Sequence, residues 1–546
     1  MSKITQYLNE HLLGEVTSNE SVRERFSRDG SILTITPEIV VYPRVTNDIR
    51  KVARFTWQLA EKGHAMPITV RGGGSDKTGA SIGKGVIVNT TAHLNNIIYI
   101  NMKSKDQFVH VQPGVIIKNL NDTLKSHGMI MSAYPNSAAY GTVGGAVANN
   151  SGGPLSGKYG QTGDWVKRLE IVLANGDLIE TTRINKHELS KKKGLQTFEG
   201  ELYRKIDGII EDNQELIVDK ISKFGRDNTG YPGIAKVKQR NGSFDLTPLL
   251  VGSQGTLGII SEIVLRTDFY NIEESIIVVS FNEALVARNA ADLLVSLQPS
   301  ALEFISGEMF DMARGYGKKY PFFDADASKS VGAVLFVSFN DFGDRARRHK
   351  VKRALKKISK MNATVFTSEN HSIEELYAIR EVSSVILQSE SKEESLPSLI
   401  DGASISSDKR EEFITALDEL AKKHHIDLPL SIDWLSGVIH ARSALNLHQV
   451  SDKQKVLKLI ADYMELVVKC GGSMSTESGE GRLKATAAYA QIDADILDIY
   501  DQIRAAFDPF STMNAGVKQK SDLKTSVSHL NPDYNLADFA QYSPRD

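Results

Sequence analysis

Three glycine-rich segments constrain this chain more than anything else in it. The first, PITVRGGGSDKTGAS (67–81), sets small or flexible residues directly after a strand-like run. There, successive backbone N–H groups can turn inward around an anion such as a pyrophosphate. An ordinary turn explains such a segment equally well when it stands alone. The second, PNSAAYGTVGGAVANNSGGPLSGKYGQTGDWV (135–166), holds too many small residues for a core strand. Close approach of backbone to a ligand is the economical explanation. In the third, LLVGSQGTLGIISEIVLRT (249–267), a glycine-punctuated bend leads from apolar residues into another strand, and Gly255 and Gly258 read as positional. None of the three has the G-x-G-x-x-G order opening a helix, so a nicotinamide-type Rossmann site is not supported, and a Walker-type P-loop is absent.

The rest of the chain bounds what these segments can serve. At 546 residues it exceeds what one hydrophobic core usually organises, so two or more domains are expected. With 65 Lys and Arg against 67 Asp and Glu, it lacks the basic footprint of a nucleic-acid protein. The single cysteine, Cys470, excludes an internal disulfide framework and any four-cysteine zinc or iron–sulfur site within the chain. No run of about eighteen apolar residues occurs, and the start lacks a basic-then-apolar signal pattern, which reads as cytoplasmic. Strand-like runs such as IVVYP (39–43) and GVIVN (85–89) alternate with polar helical stretches, giving a mixed α and β chain. LEIVLANGDLIET (169–181) reads as a hairpin turned at Asn175-Gly176. Beyond about residue 267 strands such as SIIVVSF (275–281) alternate with helices such as RARRHKVKRALKKISK (345–360), a pattern that suits a sheet covered by helices on one face. The change of texture near Arg266 to Asn271 is the expected domain boundary.

Six motifs in order carry a family resemblance: RGGGSDKTG (71–79), YGTVGGAVANNSGG (140–153), KYGQTGDWV (158–166), NTGY (228–231), GSQGTLGIISE (252–262) and FDPFSTMNAG (507–516). Together they resemble the FAD-binding p-cresol methylhydroxylase-type (vanillyl-alcohol oxidase, or FAD-linked oxidase) family, nearest its D-2-hydroxyacid dehydrogenase branch. The resemblance implies an α+β fold: an FAD-binding domain of two α+β subdomains over 1–268 and a cap with an antiparallel sheet covered by helices over 269–465. A C-terminal segment (466–520) would return to the FAD domain, and a polar tail would follow over 521–546. Carried over residue by residue, the FAD contacts become Arg71, Gly72, Gly73, Gly74, Ser75, Gly79, Pro135, Thr142, Gly145, Asn149, Ser151, Gly152, Gly255, Ile259, Ile260 and Asn514. Family members with covalent flavin often carry a histidine in the first loop; here Gly74 and Ser75 stand there, which implies non-covalent FAD.

In the hydroxyacid branch two histidines seven residues apart and the glutamate of a Glu-His-Gly motif bind a divalent metal, and the histidine of that motif is the base. This chain places Asp433, His440 and Glu477 at the metal positions and Ser478 at the base. Oxygen and nitrogen donors of this kind suit zinc, manganese or iron(II). A serine hydroxyl cannot accept a proton near neutral pH without a partner, so the family's usual base is missing. Arg380 matches a family arginine that pairs with the substrate carboxylate, and Arg442 has a similar case. Each has a plain alternative: a hydrogen-bonded core histidine, a solvated aspartate, or for Arg380 a helix-face pair with Glu375 or Glu381. The expected function is oxidation of a small 2-hydroxy acid resembling D-lactate, glycolate or 2-hydroxyglutarate, by hydride transfer to FAD, with water or another histidine taking the hydroxyl proton. The alternatives are a different alcohol or sugar substrate, or an altered FAD subunit of an electron-transfer assembly. The electron acceptor would be a quinone, a soluble carrier or an iron–sulfur partner, and the protein would be cytoplasmic or peripheral to the inner membrane face.

Overall fold

The computed structural model describes residues 3–103, 105–315, 317–320, 331–382 and 397–534. Three sheets of four or more strands organise them, beside a two-stranded pair of Asp268–Phe269 with Met129–Ile130. The first has the strand order Glu15–Thr17, Ile39–Tyr42, Val86–Asn89, Ile68–Arg71. Its last three strands run parallel, so the end of Ile68–Arg71 delivers the first glycine loop beside Asn89. The second sheet is antiparallel, with the order Ile97–Asn101, Phe108–Val111, Ile259–Arg266, Val166–Val172, Leu178–Thr181. Its last two strands form the expected hairpin, in which Gly176 adopts φ +83° and the Asn175 side chain accepts from the Asp177 amide. The central strand Ile259–Arg266 emerges directly from the third glycine segment.

The cap sheet has seven strands, all antiparallel, in the order Ala363–Thr367, Ser275–Phe281, Ala333–Phe339, Ala301–Ser306, Leu430–Asp433, Val438–Ala441, Ala403–Ser404. Helices cover both of its faces rather than one. Successive side chains of a strand point to opposite sides. Ile277, Val279 and Phe281 therefore pack under the helices Ala284–Val295 and Asp344–Ile358, while Ile276 and Val278 meet Phe310, Leu376 and Ile379 of Gly307–Gly315 and Ile373–Arg380. A strand buried on both faces reads as a continuous apolar run such as SIIVVSF, and nothing in that run says how the two layers are divided. Each fully buried aliphatic side chain there contributes about 1.5–3 kcal/mol.

After the cap, the chain returns. The helix Ala494–Phe507 buries Ile496, Ile499, Ile503 and Phe507 in the core of the antiparallel FAD-side sheet. Met513 then bridges Ile68 in parallel, so the returning chain lies beside the strand that leads into the first glycine loop. Beyond Ser521 the chain is anchored near its described end: Leu530 pairs with Leu33, and the buried Tyr534 hydroxyl donates to the Gly30 carbonyl at 3.2 Å.

Candidate active site

One cavity of about 580 Å³ runs from the glycine loops to the cap sheet. Its first wall is Gly72 to Ser75. Among the described residues no protein acceptor receives their amide hydrogens. A row of unsatisfied backbone donors beside a cavity is an anion nest. The glycines are required by close approach, since a Cβ on Gly72 would strike the Thr142 side chain and one on Gly73 the Tyr140 carbonyl. The second wall is the helix Val143–Asn149, capped by Thr142, whose hydroxyl accepts from the Gly145 amide at 3.1 Å. Val143 and Gly144 donate to Val115 and Pro113, so this helix start closes the cavity with its first three amides already spent. The third segment adds Ser253, Gln254, Gly255 and Ile260. Pro135, Asn149, Ser151 and Gly152 line the same space.

Four of the expected FAD contacts do not line it, each for a visible reason. The Arg71 guanidinium donates to the Arg28 carbonyl at 2.6 Å and lies over the Phe26 ring, beneath the loop. Gly79, at φ +77°, packs toward Leu33. Ile259 points to the opposite side of its strand from Ile260, into the core around Val172 and Met513. Asn514 is a staple: its amide donates to the carbonyls of Ala80 (2.8 Å) and Gln254 (2.7 Å), and its oxygen accepts from Thr69 (2.9 Å).

Sequence reasoning missed the side chains that hold the three loops together. Asp76 accepts from the Thr78 and Ala80 amides and from Asn149. Gln254, a non-glycine at φ +52°, donates to Asn149 (2.9 Å) and accepts from the Gly481 amide (3.0 Å). Both residues stand inside the quoted motifs, and an acidic or amide side chain amid glycines was the signal available.

The cap supplies the other end. Register places Ser431 opposite His440 and Glu303 opposite Asp433, so these neighbouring strands present one polar face to the cavity. His440 pairs through Nδ1 with Asp401 and through Nε2 with Glu477 at 3.4 Å. Burial pulls its pKa down, but the two carboxylates overcome this and hold it at about 9, so near neutrality it is an imidazolium. Burial raises the Asp433 carboxyl to about 7, against the hydrogen bond from the Ser436 hydroxyl at 2.5 Å. Asp401 and Lys484 were not expected. Lys484 is buried, donates from Nζ to the Asp401 carbonyl at 2.5 Å and has no carboxylate partner among the described residues. Burial lowers its pKa to about 8.

The two arginines differ sharply. Arg380 donates from Nε to Glu303 at 2.7 Å and lies over Phe336 and Tyr377, so its ion pair is neither of those considered from sequence. Arg442 is buried, and its Nε and Nη1 have no hydrogen-bond partner among the described residues. Its Nη2 stands 3.8 Å from Asp401. Ser478 lines the cavity without a hydrogen bond to any described residue that would activate it.

The open amides and glycine cradle fit the diphosphate of FAD. The metal set fits poorly. His440 and Glu477 converge, but Asp433 is spent on Ser436 and the Leu435 amide, and no three His, Cys, Asp or Glu side chains form a metal-holding group among the described residues.

A glycine nest opening onto an antiparallel cap sheet is the architecture of the p-cresol methylhydroxylase-type FAD-binding fold. Residues 37–182 match the FAD binding domain family, and residues 273–517 match the C-terminal domain of FAD linked oxidases. The chain belongs to the FAD-linked oxidase family. It is 25% identical over 519 residues to D-2-hydroxyglutarate dehydrogenase of Pantoea ananatis, which covers 92% of this chain and 50% of that protein. The chain thus spans about half the length of that relative. It is 24% identical to glycolate oxidase subunit GlcD of Bacillus subtilis, with 90% of this chain and 91% of that one covered. With D-lactate dehydrogenase of Archaeoglobus fulgidus it shares 22% identity, over 88% and 90% of the two chains. The fold matches p-cresol methylhydroxylase with substrate bound at TM-score 0.68 and 12% identity, covering 95% of this chain and 98% of that one. It matches 4-ethylphenol oxidase from Gulosibacter chungangensis at TM-score 0.66 and 13% identity, covering 96% and 99%. No described helix is long and apolar enough to cross a membrane.

Proposed function

We propose that this chain oxidises a small 2-hydroxy acid, of the lactate, glycolate or 2-hydroxyglutarate kind, to the 2-oxo acid. The observation that carries this reading is Arg442, a cavity-lining guanidinium whose Nε and Nη1 have no hydrogen-bond partner among the described residues. A substrate carboxylate would supply a charge-assisted acceptor that the protein does not. Arg380 serves less well because Glu303 already holds it. FAD, held non-covalently by Gly72 to Ser75 and the segments facing them, supplies the acceptor for the hydride leaving the carbinol carbon. With the carboxylate on Arg442, the hydroxyl would face the polar end of the cavity. His440 is the only histidine lining it among the described residues, and its proton is held between Asp401 and Glu477, so neither it nor a second histidine takes the hydroxyl proton. Lys484 Nζ does, in its neutral form, since burial without an ion-pair partner makes that form accessible near pH 8. Asp401 then has two tasks, fixing His440 through its carboxylate and Lys484 through its carbonyl. With FAD bound, the electrons would leave to a quinone, a soluble carrier or an iron–sulfur partner, since one cysteine cannot hold a cluster within this chain.

The test is anaerobic mixing of the flavin-loaded protein with a panel of D-2-hydroxy acids while the visible flavin band is followed. Bleaching by at least one of them, with formation of the matching 2-oxo acid, is expected. No bleaching by any at saturating concentration overturns the reading.

A further inference from the structure

The helix Asp344–Ile358 is a strongly basic element with no role in the cavity. Its inner side buries Arg347, Val351, Ala354 and Ile358 against the cap. Its outer side presents Arg345, His349, Lys352, Arg353 and Lys356, all exposed, at the spacings of three and four that place side chains on one face. The nearby carboxylates are already used: Glu273 and Asp344 pair with Arg347, Asp344 also with Arg348, and Asp341 with Lys350. Among the described residues Arg345, Lys352, Arg353 and Lys356 therefore have no carboxylate partner, in a chain whose net charge is only −2.

At the N-terminal end of this helix two apolar side chains stand in water. Phe342 is 65% exposed and Ile272 is 78% exposed. The segments that carry them are tied together, since the Asn271 side-chain amide donates to the carbonyls of Asn340 (3.1 Å) and Asp341 (3.0 Å). A phosphate-rich surface explains the cations alone. A phosphate-rich surface with an apolar interior explains the cations and the apolar tip together.

We propose that this end of the cap docks on anionic phospholipid bilayers, with the Arg345-to-Lys356 face along the headgroups and Phe342 and Ile272 entering the acyl boundary. Nucleic acid accounts for the cations but leaves both apolar side chains in water. An acidic protein partner is the remaining occupant. Each cation near an anionic membrane strengthens binding by about fivefold, so reversing three of them lowers partitioning by at least about 100-fold.

The experiment is co-sedimentation of the flavin-loaded full chain with vesicles of phosphatidylglycerol and phosphatidylcholine, against phosphatidylcholine alone, at low and high salt. Expected are binding to the anionic vesicles, weakening with salt, loss in the triple variant Arg345→Glu, Lys352→Glu, Arg353→Glu, and a marked drop in Phe342→Ser with Ile272→Ser. Retained flavin absorbance in both variants shows that they fold. The proposal is overturned if the wild-type chain ignores anionic vesicles, if the charge-reversed chain binds them as well, or if this face instead captures an acidic protein that vesicles do not displace. Because no turnover is measured, failure here leaves the hydroxy-acid reading untouched.

Discussion

Arg442 and Arg380 looked interchangeable as carboxylate anchors, and their surroundings separate them. The Arg442→Met variant is expected to lose about 100-fold in the second-order rate of flavin reduction by its best hydroxy acid, equivalent to about 3 kcal/mol of charge-assisted hydrogen bonding. Its flavin spectrum should stay unchanged. Arg380→Met should lose less at the substrate and more in thermal stability, since it leaves Glu303 unpaired in a largely buried position. Stopped-flow bleaching and melting curves of the two variants distinguish the roles. Lys484 sets the pH dependence. Only its neutral amine accepts a proton, so the bleaching rate should rise as pH climbs through about 8. Lys484→Met should lower that rate by about 10²–10⁴-fold and remove the inflection. An inflection near 8 that survives the substitution would assign the proton to another group. Asp401, which orders both His440 and Lys484, sits in an undistinguished LIDG sequence, and only the folded chain shows what it touches.

The glycine loops were legible as elements, because repeated small residues after strands have few uses other than close backbone approach. Their detailed roles were less so. The first loop keeps its amides open, whereas the helix Val143–Asn149 has used its own, a difference that depends on the Pro113 and Val115 carbonyls rather than on any glycine pattern. Gly73→Ala would drive a methyl into the Tyr140 carbonyl and push the first two segments apart. We expect this variant to purify with a fraction of the wild-type flavin content, measured by the ratio of visible to ultraviolet absorbance. Full flavin occupancy would place the diphosphate elsewhere. The two-faced burial of the cap sheet was also beyond the sequence, since alternation disappears when both sides of a strand are covered.

At the scale of the whole molecule, the candidate active site is a junction of chain regions far apart in sequence. The loops near 72–78 and 142–152, the cap strands near 431–442 and the returning segment near 477–484 meet in one cavity. Asn514, from the far end of the chain, pins two of the glycine segments to one another. The same assembly bears on the metal set. His440 and Glu477 meet, but Asp433 is turned to Ser436, so dialysis against a strong chelator should leave flavin reduction by the hydroxy acid unchanged. A chelator-sensitive rate restored by zinc, manganese or iron(II) would show that Asp433 swings in to complete a site.

By itself the sequence determined the class of the protein. It did so through the resemblance of six ordered motifs to the FAD-linked oxidase family, several of them rich in glycines that allow close backbone approach. Only the tertiary structure decided which side chains are available for chemistry. Whether an arginine is open or already paired, whether a histidine carries its proton, and whether a lysine is buried without a carboxylate all depend on neighbours tens or hundreds of residues away. Glu303 closes Arg380, Asp401 and Glu477 charge His440, and among the described residues Arg442 keeps Nε and Nη1 unmatched while Lys484 meets a carbonyl rather than a carboxylate.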